Sequence, residues 1–229
     1  MIDFHSHILP QMDDGSKSVE ESLAMLNELS RQGIKTVVAT PHFYANDETV
    51  QSFIERRLNS YKSIEASLTP DMPRVLLGAE VKYYEGISRM ENLRGLCVGD
   101  TELLLLEMPM RRWTEYVLRE LVDISCSGNV TLVLAHIERY IKLQSDKAIG
   151  QLLSNGILLQ INASFVCDFF TKRQAMNLLK NRAVHLIGSD CHNMSDRAPD
   201  IGRAYEKISK KLGNEFITEF DNYAKNFIK

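Results

Sequence analysis

Seven short apolar, β-branched runs recur along the chain, each followed by a longer stretch with helical spacing, and this alternation limits the fold to a parallel sheet or barrel. The runs lie near Ile2–His7, Thr36–Pro41, Val75–Val81, Glu102–Glu107, Thr131–His136, Leu158–Asn162 and Val184–Ser189. Helical stretches lie near Val19–Gln32, Val50–Ser67, Thr114–Ser127, Leu143–Asn155, Lys172–Asn181, Arg197–Lys211 and Glu215–Phe227. Gly33, Gly128 and Gly156 stand where helices should stop, because glycine enters the left-handed conformation that closes a helix at little cost. Ser18-Val19-Glu20-Glu21 reads as a capping box for the first helix. No Pro/Gly/Ser-rich linker interrupts the rhythm, so residues 1–229 read as a single domain.

Residues with metal-binding side chains fall at the ends of these runs. His5 and His7 close the first, His42 the second, Glu80 the third, Glu107 the fourth, His136 the fifth, and Asp190 with His192 the seventh. The C-terminal ends of all strands of a βα barrel share one rim, so positions far apart in sequence converge on one mouth. Residues two apart in a strand share a side. The pairs His5/His7, Gly78/Glu80, Leu105/Glu107, Leu134/His136 and Gly188/Asp190 meet that test, whereas His185, at odd offset from Asp190, should face the covering helices.

Five of the six histidines thus join Asp14, Glu80, Glu107 and Asp190 in a nine-member donor set. Asp14 also reads as a turn residue before Gly15, and Asp13 beside it is a competing ligand. Imidazole and carboxylate without thiolate suit manganese, iron or zinc in a catalytic rather than a purely structural site. Nine donors exceed what one ion needs and suit two or three. Three divalent ions would outweigh the four carboxylates and draw in an anion such as a phosphate ester. Metals roughly 3.5–4 Å apart can hold a bridging hydroxide and stabilise both phosphoryl and leaving oxygens, so hydrolysis needs no protein nucleophile.

Composition removes other classes. A net charge of −3 without a run of like charges argues against a nucleic-acid partner that relies on a basic surface. No apolar stretch approaches a membrane span and the first residues carry no basic-then-apolar leader, so no direct membrane insertion is expected. Four scattered cysteines, Cys97, Cys126, Cys167 and Cys191, without a C-x-x-C pair, point to a reduced, cytoplasmic protein. Cys191 to Arg197 and Cys167 to Arg173 carry the bare cysteine-x5-arginine spacing of thiol phosphatases. The first includes Asp196 and no glycine, and the second places Asp168, Phe169 and Phe170 where a phosphate cradle needs small residues, so neither is expected to act as a nucleophile.

The opening D-F-H-S-H, the T-P-H at His42, the G-A-E at Glu80, the A-H-I-E-R-Y around His136 and the G-S-D-C-H-N after the seventh run resemble the PHP (polymerase and histidinol phosphatase) superfamily, in order and over nearly the whole chain. H-S-H-I-L-P-x-M-D-D-G, followed by A-H-I-E-R-Y and S-D-x-H-N-x-x-x-R, is similar to the manganese-dependent protein-tyrosine phosphatases of bacterial capsule and exopolysaccharide loci. The resemblance implies a distorted (β/α)7 TIM-like barrel with a trinuclear centre, Mn2+ preferred. By that analogy His5, His7, Glu80 and Asp190 hold one metal, Glu80, Glu107 and His136 a second, and Asp14, His42 and His192 a third, with Glu80 bridging. Much of the wider family has a histidine where this chain has Asp14.

Arg139 and Arg197 match the arginines with which that branch grips phosphate, a role that suits the planar guanidinium fork; read simply as surface residues, they would pair with Glu138 and Asp196. Phe43, Tyr44 and Trp113 are candidates for an aromatic lip. The implied substrate is a phosphotyrosine protein, a bacterial tyrosine autokinase controlling polysaccharide export. The rivals are a small-molecule phosphatase of the same fold, for example on histidinol phosphate, and a non-catalytic metal-binding adaptor.

Overall fold

A computed structural model describes residues 1–228. The first strand, β1 (Ile2–Ser6), lies parallel to β2 (Thr36–Ala39), and β2 to β4 (Arg74–Leu77). Pro41 ends β2, and the same path resumes as β3 (His42–Phe43). The third path is likewise broken at Gly78 and Ala79, continuing as β5 (Glu80–Lys82). Six strands, β3, β5, β6 (Leu103–Glu107), β7 (Thr131–Leu134), β8 (Leu158–Asn162) and β9 (Leu186–Gly188), pair in parallel in that order. The two edges meet where Ser6 bridges Cys191, with the N–H of His7 donating to Cys191 O at 2.9 Å and that of Asp190 to His5 O at 2.8 Å. Seven strand paths therefore curl into the expected parallel barrel, two of them in halves.

Strand alternation sorts the apolar residues into two cores. Leu103 and Leu105 point inward with Ile2, Phe4, Val38, Leu76, Val133 and Leu186, and fill the barrel interior. Leu104 and Leu106 point outward and pack under the helices. Helix α1 (Val19–Arg31) illustrates the outer layer: Met25, Leu26 and Leu29 form a buried stripe at helical spacing. Ser18 caps it by accepting from Glu21 N–H at 3.2 Å, while the Glu21 carboxylate reaches one residue further back than in a standard capping box, accepting from Lys17 N–H at 2.8 Å. Gly33, Gly128 and Gly156 take the left-handed conformation the helix ends demand.

The remaining helices are α2 (Val50–Glu65), α3 (Glu115–Cys126), α4 (Asp146–Ser154), α5 (Ala163–Cys167), α6 (Lys172–Lys180), α7 (Ile201–Leu212) and α8 (Asn214–Lys225). Two expected helix starts move inward, from Leu143 to Asp146 and from Arg197 to Ile201. Ser145 fixes the first by capping Ala148 N–H. In the second, the Asn193 carboxamide accepts from Ser195 and Arg197 N–H and holds those residues in a turn. The five-residue α5 has no counterpart among the expected helices. Among the described residues no helix is long and apolar enough to cross a membrane.

Candidate metal centre

The first strand aims its histidine through a bulge. Asp3 pairs with Val37 and Ser6 with Ala39, so Phe4 and His5 together oppose Val38. Two residues against one puts both on the interior side. His136 and Asp190 arrive differently from the expected parity: β7 and β9 stop at Leu134 and Gly188, and both residues adopt left-handed backbone, with φ 34° and 56°. Side-chain alternation does not extend to them, and backbone strain of this kind is retained only where the surroundings hold it. His136 N–H donates to Gln160 Oε1 at 2.7 Å, and Asp190 N–H to His5 O.

All nine predicted donors converge. His7, Asp14, His42 and His192 form one group; His5, His7 and Asp190 a second; His5, Glu80 and His136 a third; and His42, Glu80 and Glu107 a fourth, with the donor atoms of each within 4.8 Å of one another. Glu80 is central: Oε1 lies 2.8 Å from His136 Nε2, and Oε2 lies 3.2, 3.3 and 3.1 Å from His5 Nε2, His7 Nε2 and His42 Nδ1. Asp190 Oδ1 lies 3.5 Å from His5 Nε2 and 3.6 Å from His7 Nε2. Glu107 is more peripheral, 4.0 Å from His136 Nε2, and Lys82 Nζ donates to its other oxygen at 2.8 Å.

The electrostatics fit a cation-binding site. Burial favours the neutral carboxyl of Glu80, yet the charge of His5 and hydrogen bonds from three imidazoles hold it well below the ordinary range. Asp190 is likewise lowered against burial by His5 and His7. Burial works against protonated His5 and His7, but the surrounding carboxylates raise both, His7 to about 10. His192 is pushed down to about 4 by burial and the charges of His7 and Arg197, and burial lowers His136 against the pull of Glu80. A buried set of ionised acids that draws positive charge onto two imidazoles is one that divalent cations can satisfy. The buried His42 Nδ1 and His192 Nε2 make no hydrogen bond and face this cluster, as ligand atoms do.

The two adjacent aspartates divide their work. Asp13 Oδ2 accepts from His7 Nδ1 at 2.7 Å and His42 N–H at 2.8 Å, and Oδ1 accepts from Gly15 N–H at 2.8 Å. Both its oxygens are occupied, and it orients His7. Asp14, the more exposed, places Oδ1 3.5 Å from His42 Nε2 and 3.4 Å from His192 Nε2.

Arg139 and Arg197 do not pair with their sequence neighbours Glu138 and Asp196. Arg139 reaches Asp190 Oδ2 and Arg197 reaches Asp190 Oδ1, each at 2.8 Å, so two guanidiniums flank the donor cluster at the mouth. Of the aromatic lip only Tyr44 stands at the surface, stacked on His42 at 5.5 Å. Phe43 is buried against Phe53, and Trp113 is buried beside Tyr140. His185 faces away as parity predicts, its Nδ1 accepting from Leu159 N–H at 3.0 Å. Burial raises the thiols of Cys191 and Cys167, the opposite of what a thiolate nucleophile requires.

Residues missed in the sequence support the donor cluster from behind. Gln160 lies within 3.5 Å of His5 Nδ1 and donates to Asn162 Oδ1 at 3.0 Å, and Asn162 Nδ2 donates to Asp190 Oδ2 at 2.8 Å. Tyr140 Oη lies 3.2 Å from His136 Nδ1. Asp3 accepts from the backbone and hydroxyl of Ser189 at 2.8 and 2.6 Å, bracing the turn that carries Asp190. The available signal was two polar residues at alternate positions of the apolar run Leu158–Asn162, the one strand without a ligand.

On a barrel whose strand ends share a rim, a buried convergence of imidazoles and carboxylates defines a metal-dependent hydrolase. Residues 1–227 match the family model for capsular polysaccharide synthesis, CpsB/CapC, and the chain belongs to that family. It is 34% identical over 224 residues to the tyrosine-protein phosphatase CpsB of Streptococcus pneumoniae, covering 93% of this chain and 91% of the relative. It is 29% identical over 225 residues to the tyrosine-protein phosphatase YwqE of Bacillus subtilis, covering 94% and 86%. A crystal structure from work on YwqE and CpsB, described as metal-dependent tyrosine phosphatases, aligns with a TM-score of 0.84 and 26% identity over 99% of this chain and 94% of that one. The histidinol phosphate phosphatase of Lactococcus lactis aligns with a TM-score of 0.58 at 14% identity over 91% and 92%, a likeness of fold.

Proposed function

We propose that residues 1–229 act as one metal-dependent protein-tyrosine phosphatase domain, whose substrate is a phosphotyrosine protein and, more finely, a bacterial tyrosine autokinase of polysaccharide export. The observation that carries this reading is the meeting of all nine donors with two arginines at one mouth, in a chain whose relatives are tyrosine-protein phosphatases. In this reading two to three divalent ions, Mn2+ preferred with iron or zinc as alternatives, are held by His5, His7, Asp14, His42, Glu80, Glu107, His136, Asp190 and His192. Glu80 would be shared between two of them, since three of its neighbours lie on one oxygen and His136 on the other. Asp14 rather than Asp13 serves the third ion, because Asp13 already accepts three hydrogen bonds. This reading places the protein in the cytoplasm.

Bound divalent ions would acidify a water and neutralise charge on the phosphoryl and leaving oxygens. Arg139 and Arg197 orient the phosphate: each offers a planar fork, and both turn from Asp190 to the incoming dianion. Tyr44, fixed on His42, flanks the phenyl ring. Phenolate, with a pKa near 10, leaves more readily than an alkoxide, so no side chain need donate a proton to it.

The test combines elemental analysis with assays on phosphotyrosine peptides and alkyl phosphates, before and after chelation. Two to three metals per chain, activity lost with chelator and restored by manganese, and preference for phosphotyrosine are expected. Preference for alkyl esters would identify a small-molecule phosphatase, and inertness on every ester in excess manganese a metal-binding adaptor.

A further inference from the structure

We propose that the groove between α6 and α7 is a docking site for an acidic segment of the phosphoprotein substrate, an inference that rests on the phosphatase reading above. The groove holds about 610 Å3 and is walled by Lys172 and Arg173 from α6 and Lys207, Lys210 and Lys211 from α7. No acidic residue lines it, although the chain as a whole carries a net charge of −3. The side chains of Arg173 and Lys211 make no ion pair or hydrogen bond among the described residues, and Lys210 meets Glu206 only at 3.9 Å, whereas Lys172 lies 4.2 Å from the centre of the Phe169 ring and Lys207 is held by the Cys167 carbonyl. Val166 and Met176 add apolar surface between them.

At the edge of α6 stand Phe169 and Phe170, 72% and 88% exposed. They are presented by an ordered turn, in which Asp168 Oδ1 accepts from Phe170 and Thr171 N–H at 2.8 and 3.1 Å and Thr171 Oγ1 donates to Phe165 O at 2.7 Å. Two exposed aromatic rings carried on an ordered turn, beside a cationic recess with apolar surface, form a surface complementary to a peptide that is acidic and carries an apolar side chain.

The groove also lies within reach of the mouth. A small cavity beside Arg139 and Arg197 is lined by Ser164 of α5 and by Asp200, which precedes α7. Along α7, Lys207 lies about 10 Å and Lys211 about 16 Å beyond Asp200, at 1.5 Å per residue. An extended chain advances roughly 3.3 Å per residue, so side chains about three to five positions from the phosphotyrosine would reach these lysines. The flat face of a bilayer would reach the protruding Phe169 and Phe170 but not cations that line a recess, whereas a peptide chain can enter the recess and meet both.

The test uses the manganese-loaded chain with p-nitrophenyl phosphate and with two phosphotyrosine peptides that carry the same apolar side chain, one acidic at the third to fifth positions from the phosphotyrosine and one with serine there. Arg173→Glu with Lys211→Glu should lower kcat/KM for the acidic peptide about fivefold or more, leaving the serine peptide and p-nitrophenyl phosphate unchanged, whereas Phe169→Ser with Phe170→Ser should lower it for both peptides and leave p-nitrophenyl phosphate unchanged. Added salt should shrink the preference of the unaltered protein for the acidic peptide. Fluorescence anisotropy with a fluorescein-labelled acidic peptide lacking phosphotyrosine, on metal-free protein, reads docking without turnover, so a protein inert on all esters that still binds this peptide separates failure of the phosphatase reading from failure of the docking site. Equal kinetics and equal anisotropy in variant and unaltered protein would overturn the proposal, as would equal losses on all three substrates. Co-sedimentation with phosphatidylglycerol-containing vesicles, abolished by the charge reversals while peptide kinetics stay unchanged, would assign the surface to a membrane instead and overturn it too.

Discussion

Gln160 is buried on the strand that supplies no ligand, and it touches three elements that do: its Oε1 accepts from His136 N–H and faces His5 Nδ1, and its amide leads through Asn162 to Asp190. If Nδ1 of His5 donates to Gln160, its Nε2 is left as the metal-facing lone pair, and outer partners of this kind typically change metal affinity 10- to 100-fold. Gln160→Leu should therefore weaken manganese binding about tenfold in a chelator competition while the circular dichroism spectrum is retained; unaltered affinity would show that the amide does not position the ligands. Gly188 is a sharper constraint, since a Cβ there would stand 2.4 Å from His5 Cβ and 2.9 Å from Gln160 Nε2. Gly188→Ala should lower both thermal stability and metal content, read by calorimetry and elemental analysis. The donor cluster was legible because histidines and acids recur at the ends of apolar runs, and the structure brings all nine of those side chains together. Gln160, Asn162 and Tyr140 were not, because an amide or phenol within an apolar run becomes a support only when the barrel brings its neighbours around it.

Elements were read more securely than their internal geometry. The seven strand paths and seven of the eight helices follow from apolar periodicity, whereas the bulge at Phe4 and His5 and the left-handed residues His136 and Asp190 depend on contacts across the barrel that no local pattern encodes. α5 was missed because five residues are too few to show a helical period. The capping of α1 was legible, and Ser18→Ala should cost about 1 kcal/mol in chemical denaturation, since Glu21 N–H loses its acceptor. His185, between β8 and β9, gives a pH-dependent case. Burial holds its imidazole below the ordinary value, and Nδ1 can accept from Leu159 N–H only while that nitrogen is unprotonated. A base whose folded pKa is depressed stabilises the fold above its unfolded value, about 6.5, and that stability drains away as pH falls below it. The melting temperature of the unaltered protein, relative to His185→Gln, should therefore decline from pH 7.5 to pH 5; a constant difference would show that His185 is not linked to folding.

For the molecule as a whole, the donor cluster lies across the seam that closes the barrel. β1 meets the residues that follow β9 through one bridge, Ser6 to Cys191, helped by the amides of His7 and Asp190, while β6 and β7 pair over four consecutive positions. His5 and His7 come from one side of the seam, Asp190 and His192 from the other, and the ligand groups join them. A cation held there binds only the closed form, so at a free concentration one hundred times its dissociation constant it adds about 2.7 kcal/mol to stability. For a chain of this length that corresponds to roughly 5–10 °C in melting temperature. Chelation should reverse the gain unevenly. Hydrogen exchange at the amides of His7 and Asp190 should accelerate, while Leu105 and Val133, paired across β6 and β7, keep their protection. Acceleration spread evenly over all strands would mean that the ions stabilise the fold globally rather than fastening its seam, and unchanged exchange everywhere would mean that the barrel closes without them.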